Sequence, residues 1–175
     1  MEAMENMGSA DTVLRTGQTM LLWGGPLLAF CVLLLAAVHL AERRRATLPV
    51  DPRARIGNTA AAVAELAAGL LVWALWFSWG FPGGSGTVLS VGATVTSYFA
   101  LVWLGVRTRW PWTGPFVVAL GGLTGFSTAF GLADGSSDVT GLWLIGYVLV
   151  TAGGAVVLAL ISAGIVVVRS SDWRD

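Results

Sequence analysis

The sequence predicts an all-α integral membrane protein, a five-transmembrane-helix antiparallel bundle with its N-terminus outside and its C-terminus cytoplasmic. Three observations carry that expectation. The 175 residues are 55% hydrophobic and 11% charged, against roughly 25% charged in an ordinary soluble domain. Five apolar runs each approach the ~20 residues a helix needs to cross hydrocarbon. The basic residues fall in alternate connections, as the positive-inside rule requires.

The first run, about Gln18 to Leu40, contains the uninterrupted core LLAFCVLLLAAVHL. The second, about Asn58 to Gly80, passes from alanine-rich to tryptophan-rich, and the third, about Gly86 to Val106, carries several serines and threonines. The fourth, about Thr113 to Leu132, is interrupted by Gly114, Gly121, Gly122, Gly125 and Gly131 and is the weakest of the five. Were it not to span, it would become a re-entrant segment packed among the others. The fifth, about Val139 to Val168, is long enough to tilt. This divides the chain into a tail at 1–17, a transmembrane domain at 18–168 and a cytoplasmic tail at 169–175. Pro49 and Pro52, the run Phe81 to Gly86, Pro111 and Pro115, and the run Asp134 to Asp138 punctuate the connections. Because all are short, helices adjacent in sequence are expected to be antiparallel neighbours in space.

Arginine supplies all of the positive charge, since there is no lysine. Arg43, Arg44, Arg45, Arg53, Arg55, Arg107, Arg109, Arg169 and Arg174 fall on one side, and Arg15 alone on the other with Glu2, Glu5, Asp11, Asp134 and Asp138. The nine-arginine side is therefore expected in the cytoplasm. Glu2 and Glu5 are the wrong sign for the n-region of a signal peptide, so the first run is expected to stay as an anchor. Trp23, Trp79, Trp110 and Trp112 lie near run ends, where the aromatic belt sits. The expected location is the cell membrane, and the arginine-only, alanine- and glycine-rich composition resembles that of a high-GC bacterial protein.

Composition also excludes chemistries. The lone Cys31 forbids an intramolecular disulfide and a cysteine metal cluster. Without lysine there is no retinal or pyridoxal Schiff base, and with His39 as the single histidine there is no bis-histidine haem within one chain. Met1, Met4 and Met7 form a thioether series of the kind that binds Cu(I), but one is the initiator, and no metal is assigned there. A net charge of zero disfavours nucleic acid. No cofactor and no catalytic residue are expected, and the expected partners are the lipid bilayer and either further copies of the chain or other membrane subunits.

The sequence places candidate function in a few polar residues inside apolar runs. Glu65 lies in AAAVAELAAG, one or two turns in from the basic side. A carboxylate in hydrocarbon is costly and normally faces a bundle interior, a cavity or a partner. Ala61, Gly69, Trp73 and Trp76 share its face at helical spacing. It is read either as a proton- or cation-linked group or as a shallow glutamate that reaches the interface. His39 falls in the same half of the bundle and either pairs with Glu65 or is hydrated at its helix end. Ser90, Thr94, Ser97 and Tyr98 share one face of the third helix; Thr124, Ser127 and Thr128 belong to the fourth, and Tyr147 and Thr151 to the fifth. These line a polar pathway or bond one helix to the next. Gly121 with Gly125, and Ala155, Ala159 and Ala163, allow close helix contact. The favoured expectation is a small transporter, channel or membrane subunit of a transport complex with a polar interior around Glu65. A scaffold subunit of a larger complex and an intramembrane lipid- or quinone-handling enzyme are the alternatives.

The arginine pattern makes a topological prediction. Cysteines introduced at Ala54 and Ser85 will be labelled from opposite faces of intact cells, and labelling of both from one face would contradict five spans.

Overall fold

The computed structural model describes residues 2–44, 56–78, 86–138 and 140–171; side chains are described from residue 11 onward. Among these residues there are five long helices: α1 (Glu2–Arg44), α2 (Asn58–Trp73), α3 (Gly86–Gly105), α4 (Thr113–Ser137) and α5 (Trp143–Ser171). A single π-helical turn, Ala74–Ser78, continues α2. No strand is formed among the described residues; one isolated parallel bridge joins Ile56 to Thr108. All five helices contain a stretch long and apolar enough to cross a membrane. The shortest, Val88–Gly105, has 18 residues and a rise of ~27 Å, close to the ~30 Å of hydrocarbon in a bilayer.

α1 is longer than the apolar run that announces it, continuing as helix through residues before Gln18. Most of its side chains are exposed, including Leu21, Leu22, Phe30 and Leu33. It packs along α4 and touches α5, and it makes no extended contact with α2. The expectation that sequence neighbours are spatial neighbours therefore fails for the first pair. α4 takes that place through specific partners at its two ends. Thr16 of α1 donates a hydrogen bond to the Gly135 carbonyl at one end, and Glu42 binds the start of α4 at the other.

The glycine-rich segment is a continuous helix and the centre of the bundle, touching α1, α2, α3 and α5. Glycine costs a helix about 1 kcal/mol per residue in water. Its compensation here is close packing. A Cβ at Gly121 would collide with the Ala62 carbonyl, one at Gly125 with the Leu66 carbonyl, and one at Gly69 with the backbone at Gly122 and Phe126. α2 and α4 thus run parallel and press backbone to backbone. The G-x-x-x-G pair serves contact within the chain.

The helix ends gather into two groups. At one, the end of α1 reaches the start of α4, the residue before α2 bridges to the segment after α3, and the end of α5 bonds to the end of α3. Successive helices therefore alternate in direction. Of the six described arginines, Arg43, Arg44, Arg107, Arg109 and Arg169 belong to this end and Arg15 to the other. Above it sits an apolar cluster of Ala61, Leu101, Leu104, Val118 and Ala119, flanked by Leu158, Ile161 and Ile165. At the opposite end the α4–α5 turn is held by Asp138, which accepts hydrogen bonds from the Thr140 and Trp143 amides. The Thr140 hydroxyl and amide, then the Trp143 amide, hold the Asp138 carboxyl below the usual carboxylate range.

Glycine packing gives the second prediction. Gly125→Val will destabilise the bundle by at least about 2 kcal/mol, since the added atoms meet backbone that cannot move aside. Gly153→Val, where nothing lies within 4 Å, will change stability by no more than about 0.5 kcal/mol. Denaturant titration in mixed micelles measures both.

Candidate functional site

Among the described residues, three acidic or basic side chains are buried inside the bundle: Glu42, Arg169 and Glu65, at 2%, 6% and 3% exposure. Their surroundings differ in kind.

Glu42 caps α4. Its Oε1 accepts the Trp112 amide at 2.9 Å, and its Oε2 accepts the Thr113 amide at 3.2 Å and the Thr113 hydroxyl at 2.6 Å. A helix N-terminus exposes amides without intrahelical partners and carries partial positive charge, so an acceptor carboxylate suits it twice over. No side chain of Trp112, the residue preceding α4, supplies that cap. Arg169 performs the converse task at the C-terminus of α3. It donates to the Gly105 carbonyl at 3.1 Å, the Thr108 hydroxyl at 3.1 Å and the Thr108 carbonyl at 3.0 Å. Sequence reading assigned Arg169 to a cytoplasmic tail and gave Glu42 no role. The signal that was available is their position, each a charged residue at the edge of a long apolar run.

His39 belongs to this same basic end. Its Nδ1 lies 3.2 Å from the Thr113 hydroxyl, and its ring packs edge-on against Trp110 at 5.0 Å. It is not brought to Glu65. Glu65 packs against Gly122, nine residues beyond Thr113 on α4 and ~13 Å further along the helix axis.

Glu65 has no such assigned partner. It lies on the buried face of α2 with Ala61, Gly69 and Val72. Gly122 opposite makes the room: a Cβ there would sit 2.9 Å from the Glu65 Cγ. The Oε2 atom is buried and has no hydrogen-bond partner among the described residues. Glu65 lines a cavity of about 580 Å³ bordered by α2, α3, α4 and α5. Ser90, Thr94, Ser97 and Tyr98 of α3 also line it, and Ser90, Thr94 and Tyr98 are themselves exposed. Val72, Phe77, Phe126 and Leu158 supply much of the apolar lining. The π-helical turn matters here, because the extra residue per turn places Phe77 at the cavity, 6.0 Å edge-on to Phe126. Trp76 instead covers Gly92 and donates to the Thr96 hydroxyl at 3.2 Å. Trp73 and Trp76, which helical spacing puts on the Glu65 face, are not among the residues lining the cavity, where Val72 and Phe77 stand instead; Trp79 lies outside the described residues.

The cavity is open on one side. Val95 and Tyr98 on α3 and Val157 on α5 line it yet are 48%, 46% and 50% exposed, and α3 and α5 make few contacts with each other. The remaining predicted polar residues lie elsewhere. Thr124 donates to the Leu120 carbonyl at 2.7 Å, and Thr151 to the Tyr147 carbonyl at 2.7 Å. Tyr147 is buried against Gly24 and Gly131, between α1 and α4. Neither these three nor Thr128 lines the cavity. Hydroxyls that bond their own helix in this way satisfy themselves without building a pathway.

No family model, curated protein or solved structure matches this chain. Among the described residues, no group of three or more histidine, cysteine or acidic side chains is placed to hold a metal.

The cap at α4 yields the third prediction. Glu42→Ala removes the carboxylate that accepts from the Trp112 and Thr113 amides and the Thr113 hydroxyl, at a cost of about 2–3 kcal/mol in unfolding free energy. Glu42→Asp, one methylene short, will recover only part of that loss in the same titration.

Proposed function

We propose that this is a multi-pass protein of the cell membrane, N-terminus outside, that acts as a small transporter or as the membrane subunit of a transport complex, with its transport site in the cavity at Glu65. One observation carries the reading: Glu65, a buried carboxyl whose Oε2 has no hydrogen-bond partner among the described residues, is one of the residues lining a 580 Å³ cavity within the apolar bundle. A carboxylate so placed is expensive unless it carries a proton or meets a cation. A group that alternates between those two partners couples the movement of one to the other. The arginine split supports the orientation, because the ends of the helices that bear most arginines gather on one side of the bundle.

An accessory role in a larger assembly is the second reading. The observation that favours it is the long, exposed apolar surface of α1, which includes Leu21, Leu22, Trp23, Phe30 and Leu33. Lipid covers such a face as readily as a partner helix does, so the cavity remains the stronger argument. Covalent catalysis forms no part of either reading.

The fourth prediction tests the carboxyl itself. Dicyclohexylcarbodiimide is lipid-soluble and reacts with the protonated form of carboxylic acids. Purified wild type in lipid will be modified at Glu65, mapped by peptide mass spectrometry, with modification falling as pH is raised. Glu65→Gln will fold, migrate as wild type in size-exclusion chromatography and lose that modification. A wild-type Glu65 that stays unmodified at every pH tested would remove the exchangeable carboxyl on which the transport reading depends.

A further inference from the structure

Glu65 brings a carboxyl group to the cavity, and its Oε2 has no hydrogen-bond partner among the described residues. Ser90 donates its hydroxyl hydrogen to the Gly86 carbonyl at 2.7 Å, and Thr94 donates to the Ser90 carbonyl at 2.8 Å. A hydroxyl whose hydrogen is spent on its own helix presents only lone pairs to anything beside it. Among the described residues that line the cavity there is no arginine, lysine or histidine. The described wall therefore combines one acidic group with the hydroxyls of α3, and nothing cationic to receive an anion. Around them lie apolar and aromatic surfaces, with Phe77, Phe126 and Tyr98 presenting ring faces or edges.

We infer that the cavity binds an amphiphilic amine: a protonated primary or secondary ammonium on a compact apolar body, its N–H groups donated to the Glu65 carboxylate. The inference rests on the reading of Glu65 as a transport site and specifies what that site takes. Each part of the ligand answers an observed feature. The ammonium supplies the positive charge that the described wall lacks, and such charge-assisted hydrogen bonds are the strong ones. The apolar body matches the lining, and a volume of about 580 Å³ falls in the range of roughly 300–1,000 Å³ typical of small-molecule sites. The aromatic rings favour a cation over a neutral polar group. Entry is lateral, between α3 and α5, where Val95, Tyr98 and Val157 form an exposed apolar rim. A ligand dissolved in the bilayer meets that rim directly, whereas a hydrophilic cation does not.

Dansylcadaverine is a suitable probe, with a primary amine on a fluorescent apolar body. Purified wild-type protein in lipid nanodiscs will show saturable fluorescence enhancement above that of empty nanodiscs. N-acetyl-dansylcadaverine, the same body without the charge, will bind about tenfold or more weakly, as the loss of a charge-assisted hydrogen bond implies. Glu65→Gln will weaken the amine by a similar factor and leave the acetylated probe unchanged. Equal affinity of wild type for the two probes overturns the inference without needing any variant, and so does displacement of the amine by decylubiquinone at equal concentration. Carbodiimide modification of Glu65 without amine binding would reject this ligand class while leaving the exchangeable carboxyl intact. Amine binding at Glu65 without proton-linked uptake of dansylcadaverine into proteoliposomes would reject transport and keep the site.

Discussion

The close approach of α2 and α4 is the constraint on which the rest of the structure depends. Gly121 and Gly125 bring α4 against the Ala62 and Leu66 carbonyls, and Gly69 brings α2 against Gly122 and Phe126. In lipid there is little hydrophobic drive to press helices together, so the attraction must come from dispersion and polar contact at short range. Glycine is the residue that permits that range. With α2 and α4 fixed, the positions of the others follow. α1 lies along α4, and α3 and α5 flank the pair without closing on each other, which leaves the cavity between them. Gly122 serves both ends, since it completes the glycine contact and gives the Glu65 side chain its space.

The buried charges sort by what meets them. Glu42 and Arg169 bind the amides and carbonyls that a helix end leaves unpaired, Glu42 at the start of α4 and Arg169 at the end of α3. Each charge matches the sign of the dipole it faces. These two residues make two links into one base: the end of α1 to the α3–α4 segment, and the end of α5 to the same segment. Glu65 stands apart from this base, on a helix interior and with an oxygen that no described residue satisfies. A native structure rarely leaves a buried polar atom so, and where it does the group commonly has a role beyond folding.

Hydroxyl groups show the same division. Ser162 donates to the Pro115 carbonyl at 3.2 Å and ties α5 to α4, and Thr16 ties α1 to the far end of α4. Thr124 and Thr151 bond within their own helices. Those of α3 do likewise but sit on the cavity wall. There the consequence changes, because their spare lone pairs face a space instead of a neighbouring helix.

Much of the fold was legible in the sequence. Lipid offers the backbone no hydrogen-bond partners, so an apolar run of sufficient length has the helix as its only economical state. The five runs, the turns between them and the gathering of arginines at one end all follow from composition and spacing. Glu65 was singled out for the same reason, as the acid that composition cannot hide. What composition could not express was which helices touch. Apolar side chains are nearly interchangeable to lipid and to one another, and a glycine reads as a helix weakness until its partner is known. The glycine-rich fourth run therefore looked weakest and proved central. His39 and Glu65 seemed close because they share one half of the bundle, yet α4 stands where α2 was expected beside α1. By itself the sequence determined the number of long apolar helices and the costly acid among them, though not the start of α1, which lies well before its apolar run. Only the tertiary structure decided that Glu42 and Arg169 are spent on helix ends while Glu65 is left facing a cavity, because partners at a separation of 60 or 70 residues are set by packing, which no local spacing records.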